Sequence, residues 1–265
     1  MISICTFASG SSGNCLLLRG DNTNILIDAG ISARRICASL AASGLSASDI
    51  DAILVTHEHS DHISALPVFL KKFPMEIYGS SGTLSLLGNA VQEQSLLCPF
   101  SPGESFRVGS CLIESFRTSH DAAESVGYRV ECGGSVGILT DTGYVTDEAA
   151  DALLGSSLLV LEANHDVECL ESGPYPYPLK RRILGDRGHL SNGDAAEFAL
   201  RCAESGTQDI VLAHLSDKNN TPSMALSAVR HKLDIHGYPG VDVSVAPRSV
   251  PGEIHIAREK TSCRK

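Results

Sequence analysis

The chain has 265 residues, of which 43% are hydrophobic and 20% are charged, as is usual for folded globular proteins and not for disordered ones. No apolar run reaches the roughly 18 residues of a membrane helix, and no basic segment precedes an apolar one at the N-terminus. We therefore expect no membrane contact and no signal peptide. The formal net charge of −10 argues against an extended basic surface for nucleic acid, although two bound divalent cations would offset part of it.

Short apolar runs recur along the chain, and most end at a polar residue able to bind metal or move protons. In chain order they span residues 25–27 before Asp28, 52–55 before His57, 112–116 before His120, 136–139 before Asp141, 158–161 before Glu162 and 210–213 before His214. Runs rich in Val, Ile and Leu are typical of strands covered on both faces. In layered α/β folds, functional groups collect where strands end in loops. The pattern therefore predicts a functional site at the edge of the sheet where these strands end.

Helices are predicted between these strands, at residues 32–43, at residues 63–72, and from a capping box at residues 191–194 onward. Strands and helices alternate throughout, and no linker-like segment separates two halves. We therefore expect a single α/β domain over the whole chain. Residues 173–188 form an embellishment near the site, and the tail at about 258–265 is expected to be flexible.

The cysteines indicate the compartment. Nine of them are scattered along the chain without a CxxC pair. An odd, unclustered set is typical of reduced thiols in a cytoplasmic protein and not of a disulfide framework.

The run His57-x-His59-x-Asp61-His62 directly follows a predicted strand. A tight loop after a strand can turn alternate side chains inward, so that His57 and His59 bind one ion while Asp61 and His62 bind a second. Imidazole and carboxylate groups suit zinc, manganese or iron. The spacing therefore predicts a site for two metal ions.

Two metal ions need more ligands than one loop supplies. His120, Asp141 and His214 each follow a predicted strand and are candidates. Taken singly, each has an ordinary structural explanation, as a capping aspartate or a buried histidine with hydrogen bonds.

The series HxHxDH, followed by a distant His, Asp and His, resembles the metallo-β-lactamase superfamily over residues 7–245. The resemblance implies an αββα four-layer sandwich that binds two divalent ions, zinc or manganese, with iron as a further choice. It also implies the ligands of each ion. The first would be held by His57, His59, His120 and Asp141, and the second by Asp61, His62, His214 and the bridging Asp141.

Further motifs narrow the resemblance. Glu162 and His189 resemble the Glu and His that tRNA-maturing nucleases of this fold keep beside their metals. Residues 10–14 (GSSGN), 119–122 (SHDA) and 188–192 (GHLSN) resemble the YycJ/WalJ group, cytoplasmic bacterial proteins regarded as 5′-to-3′ DNA exonucleases. The implied substrate is DNA.

The expected mechanism is hydrolysis of a phosphodiester by a metal-bridging hydroxide, since metals lower the pKa of bound water toward about 7. Asp61 would orient the water. His189 would donate a proton to the departing oxygen while Glu162 holds its other ring nitrogen. His165, beside Asp166, is a further candidate, with a purely structural role left open.

Candidate substrate-binding residues lie in two segments. Ser11, Ser12 and Asn14 could hold a terminal phosphate in a glycine-rich turn, although a simple hairpin turn explains the same residues. A basic cluster, Lys180, Arg181, Arg182 and Arg187, follows a tyrosine- and proline-rich stretch, so stacking and phosphate contact could coexist there, with Lys180 and Arg181 as the substrate-binding candidates. A solvated helix face is the competing explanation.

Three functions are weighed. A metal-dependent nuclease is the first choice. A small-molecule hydrolase of the same superfamily, acting on a phosphodiester, lactone or thioester, is the alternative. A non-catalytic binding protein fits poorly, because a decayed enzyme would be expected to have lost metal ligands.

Overall fold

The computed structural model describes residues 1–257, and the tail predicted to be flexible at 258–265 lies outside them. The strands of the first half are β1 (Ile2–Ala8), β2 (Cys15–Gly20), β3 (Thr23–Ile27), β4 (Ala52–Leu54), β5 (Glu76–Ser80) and β6 (Leu97–Phe100). Those of the second half are β7 (Ser105–Val108), β8 (Cys111–Arg117), β9 (Val126–Glu131), β10 (Ser135–Leu139), β11 (Leu158–Glu162), β12 (Asp209–Ala213), β13 (Asp242–Val245) and β14 (Ile254–Ala257).

The strands form two seven-stranded mixed sheets. The first has the order β14-β1-β2-β3-β4-β5-β6, so the last described strand returns to the edge beside the first one. The second has the order β13-β12-β11-β10-β9-β8-β7. Apolar side chains of both sheets, including Ile4, Leu18, Tyr128 and Val160, pack in one shared buried layer. A buried layer shared by both sheets is what a single domain requires. The single domain over the whole chain stays a prediction.

Helices cover the outer face of each sheet. Those before the second sheet are α1 (Ala33–Ala42), α2 (Ser60–Ile63), α3 (Leu66–Lys72) and α4 (Ser81–Leu87). Those that follow are α5 (Asp147–Leu153), α6 (Val167–Ser172), α7 (Tyr177–Ile183), α8 (Asn192–Glu204) and α9 (Pro222–Ile235). The first sheet packs on α1, α3 and α4, and the second on α5, α8 and α9. The predicted four-layer αββα sandwich is confirmed.

Two of the predicted helices form with serine caps, of which the one at Ser191 is predicted from the sequence. Ser32 accepts a hydrogen bond from the Arg35 backbone at the start of α1, and Ser191 accepts one from the Asp194 backbone at the start of α8. The helix predicted over residues 63–72 is wrong at its start, because α3 begins only at Leu66. A tertiary contact accounts for this later start of the helix, since the Ala65 N–H donates to the carbonyl oxygen of Ala29 at 2.9 Å.

The sheet directions place the polar strand ends together. Strands β3 and β4 are parallel, as are β10, β11 and β12. Strand β8 runs in the same direction as β10, because each is antiparallel to β9. The loop after β4 contacts the second sheet, where the Val126 N–H donates to the carbonyl oxygen of Thr56 at 3.0 Å. The carboxyl ends of these strands therefore border one site between the sheets. None of the helices in residues 1–257 is long and apolar enough to span a bilayer.

Candidate metal centre and cleft

Three residues within two positions of a strand end have left-handed backbone conformations, with φ of 60° at Asp28, 57° at Asp141 and 54° at His214. Such values are uncommon outside glycine and cost roughly 1–3 kcal/mol each. All three side chains are buried at the strand ends. The local strain therefore coincides with the place where the chain turns polar groups into the interior.

The seven predicted ligands lie in one cage. His57, His59 and His120 form one group whose ligand atoms are within 4.8 Å of one another, and Asp61, His62 and His214 form a second. The Asp141 carboxylate lies between them, with Oδ2 at 3.4 Å from His62 Nε2 and Oδ1 at 4.0 Å from His120 Nε2. The geometry thus matches two three-residue groups joined by one carboxylate.

Hydrogen bonds on the outer side of the cage fix the rings of two histidines from the first sheet. Asp28 Oδ2 lies 2.7 Å from His62 Nδ1, and a carboxylate can only accept, so Nδ1 donates. Thr56 donates its hydroxyl to the same carboxylate at 2.9 Å, which leaves its oxygen to accept from His57 Nδ1 at 3.1 Å. In the neutral form of each ring, Nε2 is therefore the nitrogen without a proton, as metal ligation requires.

The second sheet holds its histidines in the same way. His120 Nδ1 lies 3.1 Å from the carbonyl oxygen of Gly188, and His214 Nδ1 lies 3.1 Å from Glu162 Oε1. Asn164 fixes the backbone of this segment by donating its amide to the carbonyl oxygen of His214 at 2.8 Å. Each ring is oriented by an acceptor on its Nδ1 side.

Buried polar atoms without a partner test whether metal ions fit here. Within the described part of the chain, His57 Nε2, Asp141 Oδ2 and His214 Nε2 are buried and have no hydrogen-bond partner. Leaving a buried polar atom unpaired is costly, so such atoms at a site of converging imidazoles and carboxylates need an explanation. Divalent cations satisfy all three, and the nitrogen and oxygen donors suit them.

Burial and mutual charge set the protonation of the cage. Burial, and then the neighbouring imidazoles, hold the pKa of His57 well below its usual value, and burial also lowers the pKa of His120. Burial opposes the charged form of His62 as well, but Asp28 and Asp141 outweigh it and raise its pKa to about 9. The pKa of Asp61 falls to about 2, because hydrogen bonding and attraction from His214 and His62 overcome its burial. The carboxylate is therefore ionised at neutral pH.

Glu162 and His189 form a pair beside the cage. Glu162 Oε1 lies 2.8 Å from His189 Nδ1, and its other oxygen accepts from the Thr142 backbone at 2.9 Å. Burial would raise the pKa of Glu162, but His189 and His214 lower it well below its usual range. Because Nδ1 donates to the carboxylate, Nε2 is the ring nitrogen of His189 available for other contacts.

A cleft of about 220 Å³ adjoins the cage. His120, His189 and His214 line it from the metal side. Further lining residues come from separate loops and from the predicted embellishment, and include Ser11, Asn164, Tyr175, Leu179, Arg182, Ile183 and Ser216. The segment at 173–188 therefore lies next to the site, as the sequence predicts.

The residues of the predicted serine-rich turn contact two different regions, the cleft and the cage. Ser11 lines the cleft, and both Ser11 and Ser12 are exposed. Asn14 is buried and donates its amide toward His62 Nε2 at 3.0 Å and Asp61 Oδ2 at 3.3 Å. Its oxygen accepts from the Gly10 N–H at 2.8 Å. Asn14 thus contacts predicted ligands, and the serines face outward.

The residues of the predicted basic cluster divide between the cleft lining and other surfaces. Lys180 donates to the carbonyl oxygen of Glu171 at 2.7 Å, and Arg181 is exposed. Arg182 enters the lining instead, and its Nε donates to Asp121 Oδ2 at 2.5 Å. Helical periodicity explains the difference, because Leu179, Arg182 and Ile183 share the face of α7 that meets the cleft.

The sequence does not predict the contact of Asp28 with His62 or the pairing of Arg182 with Asp121. The position of Asp28 at the end of a predicted strand indicates a functional residue. Its hydrogen bond with His62 is not visible in the sequence, because the two residues lie 34 positions apart. His165 is 1% exposed, burial lowers its pKa to about 4, and neither ring nitrogen has a partner among the described residues. Its backbone oxygen accepts from the Asn192 N–H at 2.8 Å, which ties the loop after β11 to α8.

Comparisons with known proteins give the family of the chain. The family described as "Beta-lactamase superfamily domain" matches residues 23–215. The chain is 40% identical to exodeoxyribonuclease YycJ of Bacillus anthracis, over 87% of this chain and 89% of that protein. It is 42% identical to exodeoxyribonuclease WalJ of Streptococcus pneumoniae serotype 2, over 85% of this chain and 86% of that protein.

A solved structure supports the fold alone. The metallo-β-lactamase fold protein YhfI from Bacillus subtilis is similar with a TM-score of 0.72 at 17% identity, covering 95% of this chain and 98% of that one. The match of the family over most of the chain, together with the two relatives, decides the classification. The chain belongs to the β-lactamase superfamily and, within it, to the family that includes YycJ and WalJ.

Proposed function

We propose that the protein is a metal-dependent exodeoxyribonuclease that degrades DNA from the 5′ end and holds two divalent ions, zinc or manganese, with iron also accommodated by its ligands. The observation that carries the proposal is the pair of ligand groups joined by Asp141, beside a cleft that His189 lines. The names of the relatives, both exodeoxyribonucleases, favour DNA as the substrate.

The ions would be held by His57, His59, His120 and Asp141 at one site and by Asp61, His62, His214 and Asp141 at the other. When bound, such ions lower the pKa of a water molecule and offset the negative charge that develops on a phosphoryl group. The unpartnered, buried ligand atoms described above support this assignment.

The protein's own groups orient the reactants and move protons. Asp61 is ionised and half-buried, so its carboxylate can accept a hydrogen bond from the attacking water and orient the lone pair of that water. His189 donates a proton from Nε2 to the departing oxygen, and Glu162 keeps the other ring nitrogen protonated. Both roles require that neighbouring residues hold the side chains of Asp61 and His189 in one orientation.

The cleft would bind the terminal nucleotide. Tyr175 offers an aromatic face for a base, and Arg182 offers a cation to the phosphate once it exchanges its contact with Asp121. Ser11 and Ser12 offer hydroxyls at the rim, and Lys180 and Arg181 offer charge outside it. Asn14 would act on the substrate only through Asp61 and His62.

We also place the activity in the cytoplasm. All eight cysteines within residues 1–257 carry free thiols, and five of them are buried. Free thiols are usual in a reducing compartment.

The test is turnover of single- and double-stranded DNA that carries either a 5′-phosphate or a 5′-hydroxyl, with metal content measured on the same sample. We expect mononucleotides released from the 5′ end, faster than hydrolysis of a β-lactam or a glutathione thioester. Thioester or lactone hydrolysis without nucleotide release would contradict the proposal and favour a small-molecule hydrolase.

A further inference from the structure

Three cations from distant parts of the sequence meet beside the cleft. Arg248, between β13 and β14, donates to Asp217 Oδ1 at 2.5 Å, and Lys218 Nζ lies 3.2 Å from the other oxygen of Asp217. Arg35 of α1 donates to the carbonyl oxygen of Ser249 at 2.9 Å. We refer to Arg35, Lys218 and Arg248 as the basic ridge.

The basic ridge adjoins the rim of the cleft. Arg248 donates to the carbonyl oxygen of Ser216, a residue that lines the cleft. The backbone of Arg248 accepts from the Ser9 N–H at 3.4 Å, and a Cβ added at Gly10 would lie 3.9 Å from Arg248 Cγ. Arg248 therefore packs against the turn that presents Ser11 to the cleft.

The charge of the ridge is opposite to that of the whole chain. Lys218 and Arg248 share one carboxylate partner, Asp217, and Arg35 contacts a backbone carbonyl, whereas the formal net charge of the protein is −10. The side chain of Lys218 is 59% exposed and that of Arg248 is 33% exposed, so both can reach a ligand. Exposed Lys and Arg side chains next to a nuclease cleft suit phosphate groups, which carry most of the affinity for nucleic acid.

We propose that Arg35, Lys218 and Arg248 bind the sugar–phosphate backbone of the DNA strand whose terminal nucleotide occupies the cleft. This inference rests on the proposed nuclease function. The contacts are to phosphates, so they raise affinity for any sequence and position the strand without selecting bases.

The test uses the metal-loaded protein with Arg35→Gln and Lys218→Gln combined, which leaves Arg248 and its contacts with Asp217 and Ser216 in place. For a 20-nucleotide 5′-phosphorylated strand, we expect KM to rise about 10- to 100-fold with kcat unchanged, because two solvent-exposed hydrogen bonds of ordinary net strength are lost. The slope of log affinity against log salt should become shallower by about 1.4, or roughly 0.7 for each lost phosphate contact.

Two controls separate the ridge from general effects. A p-nitrophenyl ester of thymidine 5′-phosphate is too short to leave the cleft, so its turnover should be unchanged in the double variant. Arg107→Gln removes a cation from β7, opposite the start of β8 and so at the far end of the sheet from His120, and should change neither KM nor the salt slope. An unchanged KM in the double variant, or an equal loss in Arg107→Gln, overturns the proposal.

The failure of the nuclease function would be visible separately. If the wild-type protein releases no nucleotide, fluorescence anisotropy with a labelled strand still measures binding to the metal-loaded protein. Weaker binding by the double variant than by Arg107→Gln would then support the ridge, and equal binding would overturn it.

Discussion

Replacing Glu162 by glutamine should disturb two histidines at once. The Glu162 carboxylate is completely buried and accepts from His189 Nδ1 at 2.8 Å, from His214 Nδ1 at 3.1 Å and from the Thr142 N–H at 2.9 Å. A glutamine has the same shape but only one oxygen, and its amide nitrogen can only donate. It therefore cannot accept on both sides of the site.

Each orientation of the new amide has a cost. If the oxygen faces Thr142, the amide nitrogen faces both imidazoles, and their protons must move to Nε2. That tautomer removes the ligand atom of His214. In His189 it removes the Nδ1 proton, so that Nε2–H belongs to a neutral ring, which is a weaker acid than the imidazolium. If the amide is flipped, two donors face each other at Thr142, which leaves a buried group unsatisfied at about 1–3 kcal/mol.

The expected loss in kcat/KM for Glu162→Gln is about 10²- to 10⁴-fold, the range found when an orienting carboxylate becomes an amide or a proton donor is lost. The assay is release of nucleotides from 5′-phosphorylated DNA, with metal content and thermal unfolding measured on the same protein. Glu131→Gln is the matched control, because Glu131 is an exposed partner of Arg129 at the other end of the sheet. Full activity and full metal content in Glu162→Gln would refute the reasoning.

Asp141→Ala should lose both ions because one carboxylate lies between the two ligand groups, whereas His214→Ala should lose mainly one; elemental analysis that finds a complete single ion in Asp141→Ala would remove the bridge. His189→Ala should keep both ions and slow turnover about 10²- to 10⁴-fold, and loss of metal would instead make it a ligand. A hydrogen bond to Asp209 raises the pKa of His255 and joins the two sheets at 2.9 Å. Its stabilisation is complete below about pH 6.5 and is lost as pH rises through the raised pKa, so His255→Gln should cost up to about 1 kcal/mol in denaturant unfolding at pH 6 and little at pH 9. Equal costs at both pH values would contradict this.

The strand ends are predictable from the sequence because their signal is local. A run of apolar residues must be covered on both faces, and the first polar residue after it marks where that cover stops. This places His57, Asp141 and His214 at sheet edges without any knowledge of the fold. Periodicity alone leaves the arrangement of the sheets open. The four-layer sandwich is implied only by the resemblance in the order of the motifs.

Features that depend on tertiary contacts lie beyond such reasoning. The start of α3 is set by the Ala65 N–H bonding to Ala29 in another loop, which no helical pattern within residues 63–72 records. Arg182 and not Lys180 lines the cleft because of how α7 is rotated on its neighbours. Asp28 orients His62 only because β3 and β4 lie side by side.

The ligand groups come from both sheets, with His57, His59, Asp61 and His62 following β4 and the other three ligands following β8, β10 and β12. Ions held between them would fasten one half of the sandwich to the other. A ligand that binds only the folded state stabilises it by about 4 kcal/mol at a thousand times its dissociation constant. The amount of folded protein in a cell would then follow its supply of metal, and chelation would shorten the lifetime of the chain as well as stop its chemistry.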